Sequence, residues 1–247
     1  MAINKNSNGF TFGFAIIMVI VVGAILASAA MALKKPQTEN VKREKMKDIL
    51  AAVQVEVSMD EAPEAFSQYV KERLVLDYNG NVVNTTTGEI NPTEKTDAFN
   101  VDVKKEFKSI DNPEERNYPL FVCEKDGKTF YVLPLVGKGL WGPIWGYLSL
   151  KDDLVTIYGA SFDHKTETPG LGAEIKESFF EDQFKGEEIK DETGDFAAIK
   201  VVKGNSDPSD KHAVDGITGG TITSVGVQEM VNRTLKVYNT YFSNKQG

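Results

Sequence analysis

Twenty-four consecutive residues, Phe10 to Leu33, carry no charged side chain, and their only hydroxyls are Thr11 and Ser28. As a helix rising about 1.5 Å per residue, the run would be about 36 Å long, enough to cross a hydrocarbon core of about 30 Å. Polar residues close it at both ends, Asn4-Lys5-Asn6-Ser7-Asn8 before and Lys34-Lys35-Pro36 after. A cleaved signal peptide is the competing reading, since Ala27-Ser28-Ala29 and Ala30-Met31-Ala32 both fit a small-x-small cleavage pattern. The length of the run, and a leading segment whose only charged side chain is Lys5, favour a retained span. Six basic residues between Lys34 and Lys47 would by themselves place the rest of the chain on the cytoplasmic side. Several of them belong to the wet face of a second helix, so charge alone leaves the side open.

That second helix is read over 34–58. Met46, Ile49, Leu50, Val53 and Val57 recur at helical spacing, with Lys42, Arg43, Glu44, Lys45 and Lys47 on the solvated face. Beyond the anchor, just over two hundred residues remain, enough for one well-packed domain or two small ones, and residues 59–247 are read as one soluble domain. Two hairpins are signalled. Leu74–Tyr78 and Val82-Val83 flank Asn79-Gly80, and Leu120–Cys123 and Thr129–Val136 flank Asp126-Gly127. Strands are also expected over Ile144–Leu150, Leu154–Tyr158 and Phe196–Val202. Helices are expected over Ala173–Phe184 and Val225–Phe242, and a loop over Thr85–Asp97. Strands grouped before and between a few helices predict an α+β domain with a largely antiparallel sheet, behind one transmembrane helix. No internal repeat is present.

Charge and composition exclude several functions. A net charge of −8 without a basic face argues against a nucleic-acid partner. Cys123 is the only cysteine and His164 and His212 the only histidines, so no internal disulfide, thiolate cluster or multi-histidine metal site can form. Cys123 lies in an apolar run and reads as a small hydrophobe. No Rossmann or phosphate-loop fingerprint occurs. No general acid or base is expected, and His164 and Asp163 read as turn residues.

Three segments look like parts of a site. Asp215-Gly216-Ile217-Thr218-Gly219-Gly220-Thr221-Ile222-Thr223-Ser224 precedes the last helix. Thr223 or Ser224 could cap that helix, Glu229 would lie in its first turns, and a phosphate near Thr221 would meet amides and dipole together. The plain alternative is a polar loop ending in a cap. Glu167-Thr168-Pro169-Gly170-Leu171-Gly172 is a tight turn that could present Leu171 outward to a flat ligand or plug the core with it. Gly137-Lys138-Gly139-Leu140-Trp141-Gly142-Pro143-Ile144-Trp145-Gly146 holds both tryptophans of the chain. It is either a cofactor-contacting loop or a packed strand entry.

Together, in this order and behind one N-terminal helix, the three segments resemble the C subunit, NqrC, of the sodium-translocating NADH:quinone reductases. Asp215-Gly-Ile-Thr-Gly-Gly-Thr221 is similar to the D-x-x-(S/T)-G-A-T sequence that a flavin transferase recognises, with Gly220 in place of the alanine. The missing methyl would make that loop more flexible. Gly137-Lys-Gly-Leu-Trp141 favours NqrC over its relative, the G subunit of the Rnf electron-transport complex. The resemblance implies FMN held by a phosphoester on Thr221. Asp215, Thr218, Gly219, Gly220 and Thr223 would lie around the attachment point, and Leu140, Trp141, Thr168 and Leu171 against the ring. It also implies a single-pass protein of the bacterial inner membrane, with residues 1–9 cytoplasmic and the flavin domain periplasmic. Implied partners are the other subunits of the respiratory complex, a maturing flavin transferase and membrane lipid. The implied role is relaying electrons from NADH toward quinone, with no turnover by the chain alone. Sodium would move through partner subunits, since one apolar helix without an ionisable residue offers no ion path. The alternatives are an Rnf-type electron carrier and a membrane-tethered sensor or scaffold without redox turnover.

Overall fold

The structure, a computed structural model, describes residues 7–246. The chain divides into two compact units, Met1–Lys45 and Met46–Gly247. Helix α1, Asn8–Ala52, is continuous through Pro36 and is long and apolar enough over its first part to cross a membrane. The sequence predicts two helices meeting at Lys34-Lys35-Pro36, the second spanning 34–58; α1 is one helix instead. It ends earlier because Gln54 adopts a left-handed φ of 56°. The amides of Gln54 and Val55 turn back onto the carbonyls of Ala51 and Leu50, at 2.8 and 3.0 Å, closing the last turn.

The second unit is built on a six-stranded sheet ordered β2-β1-β3-β4-β5-β6 and antiparallel throughout. Its strands are β1 Val70–Leu76, β2 Val82–Thr87, β3 Tyr118–Lys125, β4 Lys128–Lys138, β5 Pro143–Leu150 and β6 Ile157–His164. Both predicted hairpins form, with Gly80, Asp126 and Gly127 at positive φ in the turns. The expected loop from Thr85 is still strand to Thr87. The strand expected at Leu154 begins only at Ile157, because Leu154 is held in a turn at φ 60°.

Successive side chains of a strand point to opposite faces, and here both faces are covered. Leu74, Leu120, Val122, Leu133, Leu135, Ile144, Leu148 and Phe162 pack on one side with helix α5, Thr221–Gln246. Val75, Phe121, Cys123, Phe130, Val132 and Tyr147 pack on the other, with Ile49, Leu50 and Val53 and with Phe66 of helix α2, Ala62–Tyr69. This double burial is why the β3 run reads as continuously apolar. It also pushes the Cys123 thiol pKa up to about 12 through desolvation.

Two predicted elements are rearranged. The stretch read as one helix is a 3-10 turn over Gly172–Lys176, helix α4 over Ser178–Glu181 and a second 3-10 turn over Asp182–Phe184. Glu177, with ψ of 145°, breaks it. The Phe196–Val202 strand shrinks to β7, Lys200–Val202, paired in parallel with β8, Ala213–Asp215. Side-chain amides of α5 do the rest of the pairing. Asn232 bonds both backbone groups of Ile199, at 2.8 and 2.7 Å, and Gln228 accepts from Val201 N at 2.7 Å. Helix α3, Val103–Ser109, had no signal that sequence reading used.

The placement of α5 positions the site. A Cβ on Gly226 would run into the Lys138 carbonyl, and one on Gly137 would stand 2.8 Å from Met230 Cβ. These close approaches bring the start of α5 beside the β4–β5 connection.

Candidate functional site

Helix α5 starts at Thr221, three to four residues earlier than a cap at Thr223 or Ser224 would require. Neither residue caps it. Ser224 Oγ accepts from Ile217 N at 3.0 Å, and Thr223 Oγ1 donates to Glu167 Oε2 at 2.6 Å. Glu229 falls beyond the first turn, which holds no acidic residue. The amides that open the helix therefore meet no carboxylate from its own first turn.

Beside Thr221 opens a cavity of about 230 Å³. Leu140 and Trp141 of the β4–β5 connection, Glu167, Thr168 and Leu171 of the turn after β6, and Gly219, Gly220, Thr221 and Thr223 line it. Eight of the ten residues singled out from the sequence thus converge on one cavity. Thr218 instead lines a neighbouring cavity of about 220 Å³ that shares Gly219 and Thr221. Asp215 stands off from both. Its carboxylate accepts from Ser206 N, and its amide donates to Gln183 Oε1 at 2.7 Å, so it anchors the segment that leads into the site.

The mouth is apolar and open. Among the described residues of the second unit nine large hydrophobic side chains are exposed, and four of them line this cavity: Leu140 at 47%, Trp141 at 66%, Leu171 at 41% and Ile222 at 60%. An apolar cluster this concentrated on a soluble surface marks a place where something binds. Leu171 is therefore presented outward. The two tryptophans divide the alternatives between them, since Trp141 stands in the open loop while Trp145 lies on β5 beneath the Lys104 ammonium, 3.2 Å from its ring centre. Gly219 has φ of 77°, a conformation that lets the chain pass under Leu171 Cδ2, 2.6 Å from where a Cβ would stand.

Glu167 ties the three segments together, and sequence reading gave it no role. Its side chain is 5% exposed. Oε1 accepts from the amides of Trp141 and Gly142, at 2.8 and 3.2 Å, while Oε2 accepts from Thr223. The signal was available: an acidic residue opening a Gly-rich turn. Asp163 and His164, expected as turn residues, are instead the last two residues of β6, paired with Trp145 and Ile144, and Glu167 N donates to His164 Nδ1 at 3.2 Å. A further cavity of about 260 Å³, between α3 and α5, is lined by Phe107, Arg116, Tyr118 and Arg233 and contains none of the residues singled out from the sequence.

Comparison with known proteins fits this geometry. Residues 139–236, which span the whole cavity, match the FMN-binding domain family. The C subunit of the Na(+)-translocating NADH-quinone reductase of Vibrio alginolyticus is 31% identical over 232 residues, covering 92% of this chain and 90% of the relative. The chain belongs to the NqrC family of these reductases. Within this family, the crystal structure of the Parabacteroides distasonis C subunit superposes with a TM-score of 0.73 at 40% identity, over 85% of this chain and 96% of that one. The structure of Shewanella oneidensis NqrC gives 0.66 at 28% identity, over 82% and 97%. The antiparallel α+β architecture is thus that of the NqrC family.

Proposed function

We propose that the chain is an electron-carrying flavoprotein subunit of a membrane-bound, sodium-translocating NADH:quinone reductase, with FMN esterified through its phosphate to Thr221. The observation that carries this reading is the exposed Thr221 hydroxyl at the first residue of α5, on the rim of the apolar cavity. Family membership and the FMN-binding domain match support it. On attachment, a Thr221 Oγ1–P bond replaces the O–H bond and the bond from phosphorus to the leaving group of an activated flavin donor.

The residues present fit such a group. The remaining negative charge of the phosphodiester lies where helix amides and dipole favour an anion. Leu140, Trp141 and Leu171 offer flat or branched apolar contacts to the ring, with Thr168 beside them, and the open mouth leaves a ring edge to exchange electrons with partners. Bound flavin supplies the redox chemistry; the protein supplies attachment, orientation and electrostatics. Asp215, Thr218, Gly219 and Gly220 form the segment that a flavin transferase would read. Helix α1 anchors the subunit in the bacterial inner membrane, with the second unit on the periplasmic side. Other subunits provide NADH oxidation, quinone reduction and the sodium path.

Co-expression with a flavin transferase, followed by intact mass and peptide mapping, tests the reading. An FMN adduct on the Thr221 peptide, absent from Thr221→Ala, is expected. An unmodified wild-type chain overturns it.

A further inference from the structure

The Glu167 carboxylate has three partners, and all three are donors: two backbone amides from one loop and a hydroxyl from the closing helix. An ionised carboxylate, acceptor only, is the side chain that satisfies such a set. Among the described residues no lysine, arginine or histidine nitrogen forms an ion pair with it. Its space is reserved by glycine. A Cβ on Gly139 would lie 2.7 Å from Oε1, and one on Gly172 would lie 2.6 Å from Oε2. A buried carboxylate without a cation is costly unless fully hydrogen-bonded, and this one accepts three hydrogen bonds in the wall of the cavity.

We propose that Glu167 is the positioning residue of the flavin cavity, and that its fixed negative charge holds the bound flavin's reduction potential low. This rests on the reading that FMN occupies the cavity. The positioning part follows from connectivity. One carboxylate fixes the loop bearing Leu140 and Trp141 against the helix bearing Thr221, so these contacts stand in register before any ligand arrives. The electrostatic part follows from charge. Reduction adds an electron to the ring, and a fixed negative charge at the same water-poor wall opposes that addition more strongly than it would in bulk water. The arrangement therefore favours passing the electron on over keeping it.

Glutamine separates the two roles. Its carbonyl oxygen accepts from both amides, and its NH₂ group donates to Thr223 Oγ1, so Glu167→Gln keeps the clamp and removes the charge. Glu167→Ala removes both. Thr223→Val removes one bond and keeps the charge. The first measurement is hydrogen exchange at the Trp141 and Gly142 amides of the full-length, flavin-free chain in detergent. Protection is expected to survive in Glu167→Gln and to fall at least tenfold in Glu167→Ala; retained protection in the alanine variant overturns the clamp. The second is the midpoint potential of the flavin-loaded chains by spectroelectrochemical titration. Glu167→Gln is expected to favour the reduced form at least tenfold, about 59 mV for a one-electron couple, while Thr223→Val does not raise the potential. An unchanged potential in Glu167→Gln with protected amides overturns the charge role, as does a folded Glu167→Gln chain that takes up no flavin. A wild-type chain that never loads flavin instead sinks the functional reading, and the flavin-free exchange still judges the clamp.

Discussion

Gly220 stands where the related motif has alanine, and its backbone does not demand glycine, because its φ is outside the left-handed region. Space is what demands it. A methyl would lie 3.0 Å from Ile217 Cγ2 and 3.2 Å from Gly172 N. Gly220→Ala should therefore cost about 1 kcal/mol by overpacking, read as a lower Tm, while the mass added at Thr221 persists. A larger effect is expected at Arg73, 1% exposed, whose guanidinium meets both oxygens of Asp97 at 2.9 Å and donates to Gly88 O at 2.8 Å. Asp97→Ala leaves that charge buried and unpaired and should cost about 3–5 kcal/mol in denaturant unfolding. At this scale the sequence was informative about what surrounds the cavity and silent about what secures it. Leu171, Trp141 and Thr221 announce themselves as an exposed leucine, an aromatic among glycines and a hydroxyl before a helix. Glu167 and Arg73 do not, because the partners of a buried charge come from distant segments that only folding brings near.

Among the elements, hairpins and the long C-terminal helix were legible because their signals are local: an Asn-Gly or Asp-Gly pair, or an apolar stripe every third or fourth residue. The region 172–184 misled because Ala173, Phe180 and Phe184 keep helical spacing while the chain breaks at Glu177. The break lets Phe180 and Phe184 pack against Phe162, with ring centres 5.9 and 5.1 Å from it. It also lays Glu181 along β6, accepting from Phe162 N at 2.6 Å, where desolvation raises its pKa from 4.5 to about 7. A carboxyl with a raised folded-state pKa binds more protons folded than unfolded between these values. Its contribution to stability is thus complete below about pH 4.5 and lost as pH rises through about 7. Glu181→Gln keeps an acceptor for Phe162 N and should flatten that slope. It should add on the order of 2 kcal/mol at pH 8, a figure reduced for the solvent that screens this partly exposed group. Unfolding curves from pH 4 to 8 would show it; a slope unchanged in the variant would remove Glu181 as its cause.

For the whole molecule, Ile49, Leu50 and Val53 are fully buried in the second unit although they lie near the end of the helix that begins at Asn8. A chain starting at Met46 keeps them, and its second unit should melt as in the full-length protein. A chain starting at Val55 loses them, at about 1.5–3 kcal/mol each, which approaches the whole stability of a domain. Calorimetry on both truncations should show a cooperative transition for the first and its loss or collapse for the second.

Downstream of the sheet, α5 runs from Thr221 to Gln246 and contributes Val227, Met230, Val231, Leu235, Tyr238 and Phe242 to the core. The residue proposed to take the flavin and the residues that seal one face of the sheet thus leave the ribosome together, after all six strands. A message cut short, or a chain stalled, before α5 yields a product with neither a closed core nor an attachment point. On this reading colour becomes a certificate of closure, because a yellow subunit has been translated at least into the helix that covers its sheet.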